Sequence, residues 1–127
     1  MMMRRRDFLA TGAAVVIGAD STLFGQRRDE MFGLITKISA VEGKRDELIA
    51  IMLAGAARMP GCLCYVVAKD SRDENSIWIT EAWTNEESHA ASLTLPSVKE
   101  AITKGRPLIA GFGERVLTTP VGGQGLS

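Results

Sequence analysis

Little in this chain advertises a metal centre, a polyanion site or a membrane span. Of its 127 residues, two are cysteine and one is histidine. Cys62, Cys64 and the distant His89 make a poor zinc set, because a structural zinc asks for four ligands. Spaced as Cys-x-Cys on one strand, both thiols should face the same way, near the limit that a disulfide spans without distortion. Free, buried thiols are therefore expected. Fifteen basic side chains balance fifteen acidic ones, so no basic face is offered to nucleic acid or to an acidic membrane. There is no phosphate loop, dinucleotide fingerprint, HExxH motif, Ser-centred elbow or internal repeat.

What is present divides at about residue 30. Arg4, Arg5, Arg6, Arg27 and Arg28 supply five of the fifteen bases, against four acids in the same stretch (Asp7, Asp20, Asp29, Glu30), which leaves ten bases and eleven acids, a net of about −1, for residues 31–127. A near-neutral domain fits a small or apolar partner better than a polyanion. The run Arg5-Arg6-Asp7-Phe8-Leu9 resembles a twin-arginine export signal, and a mildly hydrophobic, uncharged stretch follows from Leu9 to Ala19. At eleven residues that stretch is too short for a mature membrane helix, which needs about twenty. Residues 1–30 are thus expected to be a leader and linker that send a folded protein out of the cytoplasm, with only passing contact with the membrane.

The remaining hundred or so residues suffice for one small domain, of a size often stabilised by oligomerisation. Met31 to Ile38 reads as a strand with Phe32, Leu34 and Ile38 on one face. Residues 44–58 read as a helix, with Leu48, Met52, Ala56 and Met59 forming its stripe, Arg58 in its last turn and Pro60-Gly61 ending it. Cys62–Lys69 and Ser76–Trp83 read as strands around the charged loop 70–75. On the second of these, Ile77, Ile79, Glu81 and Trp83 share one face, while Trp78, Thr80 and Ala82 share the other. Asn85 should cap a short helix through Leu93, and Pro96 should open another to about Lys104. Phe112–Thr119 reads as a last strand, and residues 121–127 as a flexible tail. The order is β-α-β-β-α-β, a ferredoxin-like α+β arrangement. Trp78 is too large to leave in water, so the uncovered sheet face is expected to pair with a second copy.

In this order and spacing, Glu42-Gly43-Lys44, Pro60-Gly61-Cys62-Leu63-x-Tyr65, Glu81-Ala82-Trp83 with Asn85-Glu86-Glu87, and Pro96-x-Val98-Lys99 resemble the antibiotic biosynthesis monooxygenase (ABM) family over residues 31–120. The resemblance implies a dimeric α+β barrel with an apolar cavity between sheet and helices. It also implies oxidation of quinols, anthrones or similar aromatics by molecular oxygen, often without metal or flavin. Its haem-degrading members are similar but have an Asn, a Trp and a ligating His where this chain has Thr36, Ser92 and Ile102, which argues against haem degradation. Many quinol-type members carry His where Ser92 and Ser97 stand here. Aromatic-polyketide oxygenases of the family place a Trp as at Trp83, a Tyr where this chain has His89, and an Asn where it has Ile79.

His89, the only histidine, is the natural base for a phenolic proton, unless it is simply an exposed residue of a short helix. Glu81 shares a strand face with Trp83 and can act as base or hold a substrate hydroxyl; its duller reading is a partner for Arg58, Arg106 or a backbone group. Trp83 offers a stacking wall and Tyr65 an orienting phenol, though either can be plain packing. Arg106 can meet an anionic or quinone oxygen at the cavity mouth. The expected site is therefore His89 and Glu81 as catalytic groups, lined by Trp83, Tyr65, Ile79, Thr36, Ser92, Ile102 and Phe112, with no metal and oxygen as co-substrate. The alternative is the same dimeric barrel holding a small apolar ligand without turnover.

Overall fold

In a computed structural model that describes residues 30–126, the described residues form four strands and three α-helices. β1 (Phe32–Ala40) leads into α1 (Arg45–Gly55), β2 (Cys62–Lys69) and β3 (Ser76–Trp83). Then come α2 (Glu86–Ser92), α3 (Pro96–Gly105), a 3₁₀ turn (Arg106–Leu108) and β4 (Ile109–Thr118). The strands lie in the order β2-β3-β1-β4, and every neighbouring pair is antiparallel. This is the ferredoxin-like α+β fold, with its second helix position divided between α2 and α3. The export reading of the N-terminal segment falls outside the described residues, save Glu30.

Local chemistry sets each boundary. Asn85 is extended, and its side chain accepts the Ser88 N–H at 2.8 Å, while Glu86 and Glu87 complement the dipole of α2. Pro96 occupies the first turn of α3, where no N–H is needed. Gly61 at φ +85° makes the turn into β2, and a Cβ there would collide with the Ser88 side chain. α1 stops at Gly55, three residues short of the expected end, so Arg58 lies beyond its last turn. Pro60 disfavours a helical Met59, and the chain spends residues 56–61 turning toward β2. β4 begins at Ile109, three residues earlier than expected, because the 3₁₀ turn delivers the chain directly beside β1, where Val41 N–H donates to Leu108 O at 2.8 Å.

Helices α1 and α3 pack on one sheet face, approaching closely where Gly55 meets Ala101 and Gly105 meets Leu48. The core between them is Ile38, Ala40, Leu48, Ile77 and Ile79. Arg45, the first residue of α1, fixes the β2–β3 loop by donating to the carbonyls of Asp73 (2.9 Å) and Ser76 (3.2 Å). A bulge near the start of β2 corrects one expectation. Cys62 pairs with Trp83 but Cys64 with Ala82, residues of opposite faces, so the two thiols point apart rather than together. Both are free. On the far face of the sheet Val66 and Val116 remain about half exposed, and Trp78 is partly covered by its own neighbours.

Candidate active site

Between the sheet and the helices lies a cavity of about 670 Å³. Its floor is the face of β3 that carries Ile79, Glu81 and Trp83; β2 contributes Tyr65, α1 contributes Leu48 and Met52, and α2 contributes His89. Period two on the strand and the short capped helix that follows are what bring Glu81, Trp83 and His89 together.

Trp83 is 1% exposed, and its indole N–H donates to Glu81 Oε1 at 2.9 Å. His89 Nε2 stands 4.0 Å from that same oxygen, too far for a direct hydrogen bond but close enough to pair when the ring is protonated. The imidazole meets the Trp83 ring edge-on, with centroids 5.4 Å apart, and the Phe32 ring at 5.2 Å. Glu81 and His89 side chains keep 10% and 17% of their exposure. They form a small polar island against largely apolar walls, with Tyr65 and Ser92 also in the lining and Arg106 at the rim, and no third metal-ligating side chain joins them among the described residues.

Tyr65 sits opposite Glu81 across the β2–β3 ladder. Burial first, then the charge of Glu81 and the neighbouring Cys62, push its phenol up to about 12. It stays protonated at neutral pH and can donate a hydrogen bond but not act as base. Burial also raises the Cys62 thiol, with Glu81 and Cys64 adding to the effect, so this cysteine is an unreactive neighbour rather than a nucleophile.

Of the remaining expected site residues, Ile79 is a buried part of the floor, whereas Ile102 and Phe112 stand at the rim; the latter is 73% exposed. Ser92 is buried in the wall, but its hydroxyl donates to His89 O at 2.6 Å, so it holds α2 together. Thr36 is not part of the wall: at its level of the sheet the bulkier cross-strand Ile79 and the nearby Ile38 supply the surface. Glu81 does not pair with Arg58 or Arg106; its partners are Trp83 and His89. The Phe32 contact with His89 was not foreseen, although Phe32 pairs with Trp83 across β1–β3 and period two already placed both toward the helices. Met52 and Met59 also line the cavity, where the helical stripe had marked them only as packing.

The family model for antibiotic biosynthesis monooxygenases matches residues 31–104. A crystallised protein of Chloroflexus aurantiacus J-10-fl, a candidate antibiotic biosynthesis monooxygenase, is 59% identical; the match covers 76% of this chain and 99% of that one, with a TM-score of 0.75. SnoaB of Streptomyces nogalater, a cofactor-independent oxygenase, is 19% identical over 75% of this chain and 97% of its own, with a TM-score of 0.63, and shares the fold. A candidate from Caulobacter crescentus CB15 is likewise 19% identical, over 78% of this chain and 95% of its own, at a TM-score of 0.63. No curated protein matches the chain.

Proposed function

The chain belongs to the antibiotic biosynthesis monooxygenase family, and on that footing we propose that its cavity binds a quinol, an anthrone or a similar small aromatic and oxidises it with molecular oxygen. The observation that carries this reading is the Glu81–His89 pair, the polar island of an apolar enclosure large enough for such a ligand.

The aromatic lies against Trp83 with an acidic hydroxyl or enol toward the pair. His89 Nε2 or the free oxygen of Glu81 takes that proton, and the Trp83 N–H keeps the carboxylate in place. Tyr65, held protonated, donates a hydrogen bond to the oxyanion that results. The electron-rich anion then reacts with oxygen. For an anthrone, the ring methylene becomes a carbonyl, one oxygen atom stays in the product and the other leaves as water. All four electrons come from the substrate, so no outside reductant is required. Excluding water from this step protects the anion and strengthens the electrostatics around it.

The same reading takes the protein as a homodimer joined through the outer sheet face, where Val66 and Val116 are half exposed. It also takes Arg5-Arg6 as an export address, so that replacing both by lysine keeps the protein in the cytoplasm.

Oxygen consumption by the purified, metal-stripped protein on a panel of quinols and anthrones tests the proposal. Uptake above the spontaneous rate is expected, falling by on the order of a hundredfold or more with His89→Ala, the usual scale for a lost general base. Uptake that survives this change would remove His89 from the mechanism. No uptake with any substrate would turn the reading to a barrel that binds an apolar ligand without turnover, which the largely apolar wall would serve equally well.

A further inference from the structure

The cavity has two charged poles. Glu81 marks one. The other is Arg106, which opens the 3₁₀ turn after α3 and lines the same cavity. Its backbone is fixed on both sides: its N–H donates to Ile102 O, and Pro107 follows. Its side chain is exposed at the rim and takes part in no ion pair or side-chain hydrogen bond among the described residues.

The strand register separates the poles. β4 enters beside Ala40 through Ile109 and passes Ile38 at Phe112, whereas Glu81 lies opposite Leu34. The start of β4, into which Arg106 leads, therefore lies four to six residue steps along β1 from Glu81, about 13 to 20 Å at roughly 3.3 Å per residue. Most of the remaining lining is apolar, Leu48, Met52, Val98, Ile102 and Phe112 included.

From this arrangement we infer that the ligand is a flat aromatic carrying a carboxylate at the end remote from its reacting hydroxyl, and that Arg106 selects it. The inference rests on the reading of the cavity as the substrate site. A planar guanidinium that pairs with no carboxylate among the described residues presents a two-toothed donor to a ligand carboxylate. The opposite arrangement is disfavoured, because an acid placed at the other pole would meet the Glu81 carboxylate. Arg106 is thus a specificity residue, distant from the proton transfer and separable from it.

Equilibrium dialysis of the full chain with anthraquinone-2-carboxylate and anthraquinone-2-carboxamide tests this with probes that do not react with oxygen. The carboxylate should bind about tenfold more tightly, the low end for hydrogen bonds to a charged group because the rim at Arg106 is open to water. Arg106→Gln should bring the carboxylate close to the level of the carboxamide and weaken the carboxamide far less, and the binding that remains also shows that the variant is folded. Arg106→Lys should retain part of the preference. Equal binding of the two probes by the natural chain, equal weakening of both in the variant, or no binding of either would overturn the inference. A retained preference without oxygen uptake would count against the oxygenase reading alone; uptake without a preference would count against this one alone.

Discussion

Trp78 and Trp83 stand on opposite faces of β3, and each donates its indole N–H to a carboxylate, Trp78 to Asp70 at 2.7 Å and Trp83 to Glu81 at 2.9 Å. The bond is the same, but the settings are not. Asp70 caps an exposed loop and also accepts the backbone N–H groups of Arg72 and Asp73, so both of its oxygens are engaged. Glu81 accepts only the indole among the described residues, and its other oxygen is left for whatever enters the cavity. Lys37 lies over the Trp78 ring at 5.5 Å and keeps it company in solvent, whereas Trp83 is closed in by His89 and Phe32. A fully satisfied carboxylate holds structure. One with spare acceptor capacity beside a histidine, in an apolar enclosure, is equipped for chemistry.

The sharpest way to break this comparison is to delete each indole. Trp83→Ala empties a buried site and should cost about 3–5 kcal/mol, the range for large aromatic truncations in cores. Trp78→Ala removes a partly exposed ring and one partly buried hydrogen bond, and should cost about 1 kcal/mol. Urea unfolding of the two variants checks the ordering. Equal losses would mean that the outer face carries as much packing as the cavity floor.

A smaller effect concerns Asp70 alone. The indole bond from Trp78, followed by the two backbone N–H bonds, holds its carboxyl down from an ordinary 3.8 to about 2. A group lowered in the folded state contributes stability above its unfolded value, and that contribution is lost as pH falls through the folded one. The loop should therefore keep its geometry to pH 3 and loosen near pH 2. A carboxyl NMR titration of Trp78→Phe should show the midpoint moving back up toward 3.8, because the largest cause has gone. An unmoved midpoint would assign the shift to the backbone bonds.

Much of this contrast is legible in the sequence. Alternation along Ser76–Trp83 put Glu81 and Trp83 on one face and Trp78 on the other, and the Asn85 and Pro96 signals fixed both helices that follow. What was hidden depends on partners far along the chain. The bulge that turns Cys62 and Cys64 apart is one extra residue with no signature of its own, visible only once β2 is paired with β3. Thr36 falls out of the wall because its cross-strand neighbour is bulkier, and Phe32 joins His89 because β1 lies beside β3 in a register that no local pattern encodes.

The finest discrimination comes from Tyr65, the chain's only tyrosine, which makes its ionisation readable by ultraviolet absorbance without assignment. Its phenol should reach half-ionisation only at about pH 12. Because its folded value is raised, its contribution to stability is complete below the ordinary value near 10 and is lost as pH climbs toward 12. Burial is the first cause of the shift and the charge of Glu81 the second. Glu81→Gln should accordingly lower the midpoint only slightly, since the burial remains. A return all the way to 10 would instead mean that the variant has let water into the cavity, and the dry enclosure on which the proton transfer depends would then be a property of Glu81 rather than of the walls around it.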